Sequence, residues 1–198
     1  MDAALDFVDE HGLAALSMHK LGSALGVKGM SLYNHVQGKD DVLDGLVEAM
    51  WAEAEGAAPA QDDWRQGARA LAYAIRGVMH RHPNAAPLMT SRSVMPTAAL
   101  RSVRAHIAAA VSSGIPEEQA YALLRTLTSY ALGSALAEVN WGLAVAGCRP
   151  TVADLLRPGT PADLAAVAEV FCGQSDPDAQ FELGLDLMLR GIGCTPPA

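Results

Sequence analysis

Cysteine, aromatic residues and long apolar runs are scarce in this sequence of 198 residues. Its three cysteines, Cys148, Cys172 and Cys194, are odd in number and lie far apart. That pattern does not fit a disulfide framework and favours reduced thiols in the cytoplasm. The N-terminus is rich in aspartate, so a secretory signal peptide is not expected. No apolar run approaches the roughly 20 residues of a membrane-spanning helix, and we expect no membrane partner.

Motifs for catalysis and for metal or cofactor binding are also missing. The patterns H-E-x-x-H, G-x-S-x-G and G-x-G-x-x-G do not occur. No glutamate has a histidine three residues later, as helical di-iron bundles require. We therefore expect no enzyme activity, no metal and no cofactor. The isolated His80, His82 and His106 are expected at the surface or at helix ends rather than as ligands.

Positive charge is scarce overall but concentrated in two segments. The net charge is −8, and a field of that sign repels nucleic acid. Residues 1–55 contain ten acids and three lysines, yet all three lysines lie in the acid-free segment 17–39. Residues 64–116 contain seven arginines and no acid. We expect these arginines to pair with the acidic C-terminal third of the chain, and attraction of an anionic effector is the alternative.

Alanine and leucine dominate what is present, and apolar residues make up 51% of the chain, a composition that favours helices. Apolar spacing predicts an all-α protein of about ten helices, without strands or repeats. The main helices are expected at residues 2–11, 18–25, 29–36, 39–55, 64–81, 97–113 and 117–146, with shorter ones at 85–91, 164–171 and 181–192. The segment 147–163 is predicted to be a loop. Two domains are predicted, residues 1–46 and 47–198, and the fourth helix joins them. The residues of the fourth helix predicted to face inward are Val42, Leu43, Leu46, Val47, Met50 and Trp51.

The first three predicted helices are short, of about 10, 8 and 7 residues, and tight turns join them as in a helix-turn-helix DNA-binding motif. Ser17 is the predicted N-cap of the second helix, and Gly26 supplies the positive φ of the following turn. With Leu32 and Val36 turned inward, the third helix exposes side chains that suit base edges and phosphates. A solvated polar helix in an ordinary bundle is the alternative. The predicted DNA-binding residues are Ser17, Lys28, Gly29, Ser31, Tyr33, Asn34, His35 and Lys39.

The stretch LSMHKLGSALGVKGMSLYNHVQGKDDVLDGL (16–46) resembles the DNA-binding domain of TetR-family transcriptional regulators. Weaker matches at HPNAAPLM, GIPEEQAYALLRTLTSYALGSALAE and FELGLDLMLRGI resemble the C-terminal ligand domain of the tetracycline-repressor type. The resemblance implies a helix-turn-helix DNA-binding domain followed by a helical ligand-binding and dimerisation domain. It also implies that Tyr33 and Lys39 contact phosphates, and that the recognition helix contains Lys28, Gly29, Ser31, Tyr33, Asn34 and His35. Because Gly29 has no side chain, we expect it to let the backbone come close to DNA.

The same resemblance implies a ligand pocket in each subunit. The predicted lining lies between the fourth, fifth, seventh and eighth helices, and a packed core without a ligand is the alternative for every one of these residues. Met89 and Leu71 stand where the tetracycline repressor has a histidine and an amide, so a mostly apolar effector other than tetracycline is expected. The predicted ligand-binding residues are Met50, Trp51, Leu71, Ile75, Met79, Met89, Val103 and Tyr130.

A homodimer is expected through the long eighth helix and the last helix. Small residues at Gly133 and Ala137 allow two helices to approach closely, and the last helix offers Phe181, Leu185, Met188 and Ile192. The alternative is that both are core helices of a monomer.

The predicted function is a cytoplasmic, ligand-responsive regulator that releases a palindromic operator when the effector binds. A helical small-molecule-binding protein, or a helix-turn-helix interaction module without effector control, is the alternative.

Overall fold

The computed structural model describes residues 1–143, 151–173 and 176–191. Those residues form eleven α-helices and no strand, which confirms the all-α prediction. A 3₁₀ turn, Leu13–Ala15, follows α1, and a π-helical turn, Glu169–Gly173, follows α10. The helices are α1 (Asp2–His11), α2 (Met18–Ala24), α3 (Gly29–Leu32), α4 (Lys39–Ala57), α5 (Trp64–Arg81), α6 (Leu88–Ser91), α7 (Thr97–Ser112), α8 (Glu117–Asn140), α9 (Val152–Leu155), α10 (Ala162–Ala168) and α11 (Pro177–Arg190).

Local sequence signals set most of the helix ends. The Ser17 side chain accepts a hydrogen bond from the Lys20 backbone N–H at 3.2 Å, which confirms it as the N-cap of α2. Asp63 caps α5 in the same way, accepting from the backbone N–H groups of the second and third helical residues. At the other end of α1, Gly12 has a φ of 78°, which only glycine adopts readily.

Three predicted boundaries are wrong. The third helix ends at Leu32 rather than Val36, because the backbone after it closes into turns, with the His35 N–H donating to the Leu32 carbonyl at 2.9 Å. The long eighth helix ends at Asn140 rather than Ala146. A helix also lies within the segment 147–163 that was predicted as loop. Its start is a capping box, in which Thr151 and Asp154 each bond the other's backbone N–H.

Residues 1–136 form one compact unit and residues 137–198 a second. In the first unit α4 is central, because it packs against α1, α5, α6 and α7. Its inward face is the predicted one. The side chains that fill the interior of this unit are fully buried and come mainly from α4 and α5, among them Leu46, Met50, Leu71, Ile75 and Met79. The predicted domain boundary after residue 46 falls inside α4 and stays a prediction.

In the second unit, α9 and α10 both contact the π-helical turn. One face of α11 is buried, through Phe181, Leu185 and Leu189. These residues are four apart, the spacing of one face of an α-helix. The opposite face of α11 is exposed, including Leu183 and Leu187.

Candidate DNA-binding face, ligand pocket and dimer surface

The turn between α2 and α3 has the predicted glycine conformation. Gly26 has a φ of 69°, and the Val27 N–H reaches back to the Gly22 carbonyl at 2.9 Å. This bond satisfies a carbonyl that would otherwise be left free at the end of α2. The turn therefore fixes the direction in which α3 leaves α2, as a helix-turn-helix motif requires.

Two glycines allow α2 and α3 to pack closely against each other. A Cβ on Gly22 would lie 2.8 Å from the Gly29 backbone, and a Cβ on Gly29 would lie 3.1 Å from the Met18 carbonyl oxygen. The prediction that Gly29 lets the backbone come close to DNA stays a prediction. The structure shows that its missing side chain makes room for α2. Sequence analysis did not single out Gly22, although its small size within an apolar helix was the available signal.

The predicted polar arc is exposed on the outer side of this motif. Leu32 and Val36, which were expected inside, are partly covered. Ser17 is also partly covered and holds the start of α2. The exposed members of the predicted set are Lys28, Ser31, Tyr33, Asn34, His35 and Lys39.

An open groove of about 540 Å³ runs along this face. Five of its eight lining residues were missed by sequence analysis: Met18, His19, Ser23, Val27 and Met30. Of these, His19 is exposed at the start of α2 and Met30 is 77% exposed. All five lie in the acid-free segment 17–39, and that charge pattern was the signal for them. The groove is lined by Met18, His19, Ser23, Val27, Lys28, Gly29, Met30 and Tyr33.

The carboxylates of α4 are paired with groups from α5, α7 and the segment between α6 and α7. Arg81 bonds Glu53 at 2.6 Å, and Arg101 binds both oxygens of Glu55, at 3.0 and 2.7 Å. Arg92 bonds Asp40 and Asp44. Between these pairs, Glu48 accepts the backbone N–H groups of Thr97 and Ala98 and so caps the start of α7. For these three arginines, the predicted pairing with the C-terminal third is wrong.

These contacts change the acidity of the α4 carboxylates. Hydrogen bonds from Arg101 place the pKa of Glu55 below its usual value. For Glu53, burial acts to raise the pKa, but hydrogen bonds from His82 and Arg81 outweigh it and the pKa is lowered. His82 also bonds Asp9 of α1 at 2.5 Å, so one imidazole joins α1, α4 and the end of α5.

Six of the eight predicted ligand-binding residues are buried: Met50, Trp51, Leu71, Ile75, Met79 and Met89. Val103 and Tyr130 are partly covered. The predicted set therefore lies mainly in the apolar interior of the first unit.

His106 is the histidine that sequence analysis placed wrongly. It was expected at the surface or at a helix end, but only 4% of it is exposed. Its Nδ1 lies 2.8 Å from the Ser102 carbonyl oxygen, an acceptor, so Nδ1 carries a hydrogen. In the neutral imidazole, Nε2 is then the acceptor. Nε2 is buried and has no hydrogen-bond partner among the described residues. One ring carbon next to Nε2 is Cδ2, and it lies close to Gly67 of α5. A Cβ added to Gly67 would be 3.7 Å from His106 Cδ2.

The predicted dimer residues divide into exposed and buried groups. Gly133 and Ala137 of α8 are exposed. Phe181 and Leu185 are fully buried within the single chain, and their part in a dimer interface stays a prediction. Met188 is partly covered, and Ile192 lies outside the described residues.

An apolar surface is nevertheless exposed on the second unit. Leu183 and Leu187 of α11 are 59% and 67% exposed. A groove of about 610 Å³ is lined by Ala166, Val167, Val170, Phe171 and Gln180. Exposed apolar patches of this kind mark surfaces that other molecules cover.

Within the described ranges, no helix combines the length and the apolar character needed to cross a membrane. The same part of the chain contains no cluster of three histidine, cysteine or acidic side chains able to hold a metal ion.

Residues 56–195 match the family described as "Tetracyclin repressor-like, C-terminal domain". An "HTH-type transcriptional regulator" of Saccharopolyspora erythraea is 32% identical over 197 residues, which cover 98% of this chain and 83% of that protein. The "Tetracycline repressor protein class A from transposon 1721" of Escherichia coli is 31% identical over 193 residues, covering 96% and 87%. A crystal structure of "a possible TetR family transcriptional regulator" from Streptomyces coelicolor A3(2) superposes with a TM-score of 0.77 at 28% identity, covering 96% and 95%.

Proposed function

Since the chain belongs to the TetR family of transcriptional regulators, we propose that it is a dimeric repressor that releases a palindromic operator when a small, mostly apolar effector binds. Regulators of this family bind DNA operators and small-molecule effectors and form dimers, and they are not enzymes. We place its action in the cytoplasm, where the operator is.

The observation that carries the DNA proposal is an exposed face without acids in an otherwise acidic chain. Lys28, Ser31, Tyr33, Asn34 and His35 follow one another on this face, and Lys39 begins α4 beside them. Lysine side chains neutralise phosphates, while amide, hydroxyl and imidazole groups bond phosphates and base edges. In a dimer, two such faces would reach successive major grooves about 34–36 Å apart, or a multiple of that distance.

The effector proposal is supported by the interior of the first unit. The predicted lining supplies methionine side chains, whose flexibility suits an adaptable apolar site. His106 can add one polar contact, because its buried Nε2 has no hydrogen-bond partner among the described residues. A buried acceptor without a partner destabilises the empty protein. We therefore propose an apolar effector that donates one hydrogen bond, from a hydroxyl or an N–H group, to His106.

The DNA proposal is tested by selecting bound sequences from a random duplex pool, followed by anisotropy titration of the selected duplex. We expect a palindrome, and an affinity that falls steeply with salt because phosphate contacts release counterions. Lys28→Ala should weaken binding about tenfold while the melting temperature is unchanged. Arg125→Ala removes the same charge from the exposed side of α8 and serves as the matched control.

Two results would contradict the proposal. One is a selection that returns no enriched sequence. The other is a Lys28→Ala protein that binds the selected duplex as tightly as the Arg125→Ala control.

A further inference from the structure

The first turn of α4 contains a cation and several anions at the place where DNA is proposed to bind. Lys39 is the proposed phosphate contact, yet Asp40, Asp41 and Asp44 lie in the same turn or the next. Duplex DNA carries one negative charge per 1.7 Å or so of its axis. Uncompensated carboxylates beside Lys39 would therefore oppose the contact that Lys39 makes.

Each of these carboxylates is engaged by another group of the protein. Asp41 accepts a hydrogen bond from the Gln37 N–H at 2.9 Å. Asp40 and Asp44 are both bonded by Arg92, whose Nη1 lies 2.8 Å from Asp40 Oδ1 and whose Nε lies 2.7 Å from Asp44 Oδ1. A longer contact of 3.5 Å joins Arg92 Nη2 to the Asp40 carbonyl oxygen. The Arg92 side chain is 25% exposed, although it lies at the surface of the molecule.

We propose that Arg92 is a positioning residue for DNA binding: it holds the first turn of α4 and neutralises Asp40 and Asp44, so that Lys39 can approach a phosphate. Arg92 lies between α6 and α7, 52 residues after Asp40. It acts through Lys39 and makes no DNA contact itself. This inference rests on the proposed function, because it assumes that the α2–α3 face and the start of α4 meet DNA.

A second arginine that pairs with a carboxylate of α4 provides a matched control. Arg101 binds Glu55 with two hydrogen bonds near the C-terminal end of α4. Glu55 is 15 residues from Asp40, or roughly 22 Å at 1.5 Å per residue. If these arginines only attached α4 to the rest of the first unit, losing either one would affect DNA binding alike. If Arg92 acts on the DNA-binding turn, the two losses will differ.

The experiment compares Arg92→Ala and Arg101→Ala in the full-length dimer with the selected operator duplex, over a series of salt concentrations. We expect Arg92→Ala to weaken binding about tenfold and to make the salt dependence shallower by about one phosphate contact. The affinity of Arg101→Ala for the duplex should stay within about twofold of the wild-type affinity, because no phosphate contact is lost. Thermal melting of both variants checks that they are folded.

Two further variants test how Arg92 acts. They distinguish neutralisation of Asp40 and Asp44, with an effect that depends on Lys39, from a role in which Arg92 only attaches α4 to the rest of the first unit. Adding Asp40→Asn and Asp44→Asn to Arg92→Ala removes the charges that Arg92 neutralises, and should restore the affinity to within about threefold of the wild type. In a Lys39→Ala background, Arg92→Ala should have almost no further effect, because the two residues act on one contact.

Three results would overturn the inference while the proposed function stands: equal effects of Arg92→Ala and Arg101→Ala, no recovery in the triple variant, or additive effects of Arg92→Ala and Lys39→Ala. Failure of the wild-type protein to select any duplex would overturn the proposed function and this inference with it.

Discussion

At the scale of single residues, His106 is a buried polar side chain in an otherwise mainly apolar interior. Its Nδ1 is satisfied within α7, but Nε2 lies buried without a partner among the described residues. A buried unsatisfied acceptor costs about 1–3 kcal/mol. An apolar side chain of similar size would avoid that cost. The retention of a histidine here is explained if a bound molecule donates to Nε2.

Replacing His106 with leucine therefore has opposite effects on stability and on ligand response. We expect His106→Leu to raise the free energy of unfolding by about 1 kcal/mol, because the unsatisfied acceptor is removed. The effector that releases the wild-type protein from its operator should no longer do so. Urea unfolding and effector titration of the protein–DNA complex measure the two effects.

His106→Gln is the matched control, because its amide oxygen can occupy the place of Nε2 as an acceptor. It should retain part of the effector response. A leucine variant that is less stable than the wild type, or that still responds to the effector, would contradict this role of His106.

Single residues also mark the limit of what the sequence predicts. The cap at Ser17 and the positive φ of Gly26 depend on nearby residues, and both are confirmed. The role of Gly29 could not be predicted in the same way. Its missing Cβ leaves room for Met18 and His19, and that packing exists only once α2 and α3 have crossed. His106 was misplaced for a similar reason, since its burial depends on how α5 and α7 pack.

At the scale of elements, α4 joins the proposed DNA-binding face to the interior of the first unit. Its apolar face was predicted correctly from spacing alone, because each inward residue follows the helical period. Its acidic residues contribute to the negative net charge of the chain, which repels nucleic acid. The structure shows that they bond Arg81, Arg92, Arg101 and the start of α7. Their partners lie 28 to 52 residues away, so helical periodicity could not identify them.

These ion pairs make the stability of the first unit depend on pH. The pKa of Glu55 and that of Glu53 both lie below the usual value of 4.5. A carboxylate whose pKa is lowered by folding contributes stability that is fully present above the unfolded pKa and is lost as the pH falls through the folded one. We therefore expect the free energy of unfolding, measured with urea, to fall as the pH drops below about 4.5.

Glu55→Gln should remove part of that dependence. The variant is expected to be less stable than the wild type at pH 7 and to lose less stability between pH 7 and pH 4. Glu10→Gln, which changes an exposed glutamate of α1, should leave the pH profile unchanged. Equal profiles for all three proteins would show that the Glu55–Arg101 pair does not contribute to the acid sensitivity.

At the scale of the whole molecule, the balance of charge limits how the protein can bind DNA. The chain carries a net charge of −8, and its only lysines are three residues in the segment 17–39. One chain therefore offers few phosphate contacts, and a dimer doubles them at one palindromic site. Dimerisation is then needed for affinity as well as for symmetry. We expect the apolar residues left exposed on α11 and beside α10 to form part of the dimer interface.

The last prediction concerns that surface. Leu187 is 67% exposed in the single chain, and a charge placed there would be costly to bury against a second copy. We expect Leu187→Glu to convert the protein from a dimer to a monomer of 20.7 kDa in sedimentation equilibrium. Its affinity for the palindromic duplex should fall by at least about a hundredfold, because one half-site would be bound alone. Leu100→Glu, on an α7 leucine that is 52% exposed, should remain dimeric. A dimeric Leu187→Glu protein would exclude the exposed face of α11 from the interface, and the small-residue face of α8 at Gly133 would then be the surface to substitute.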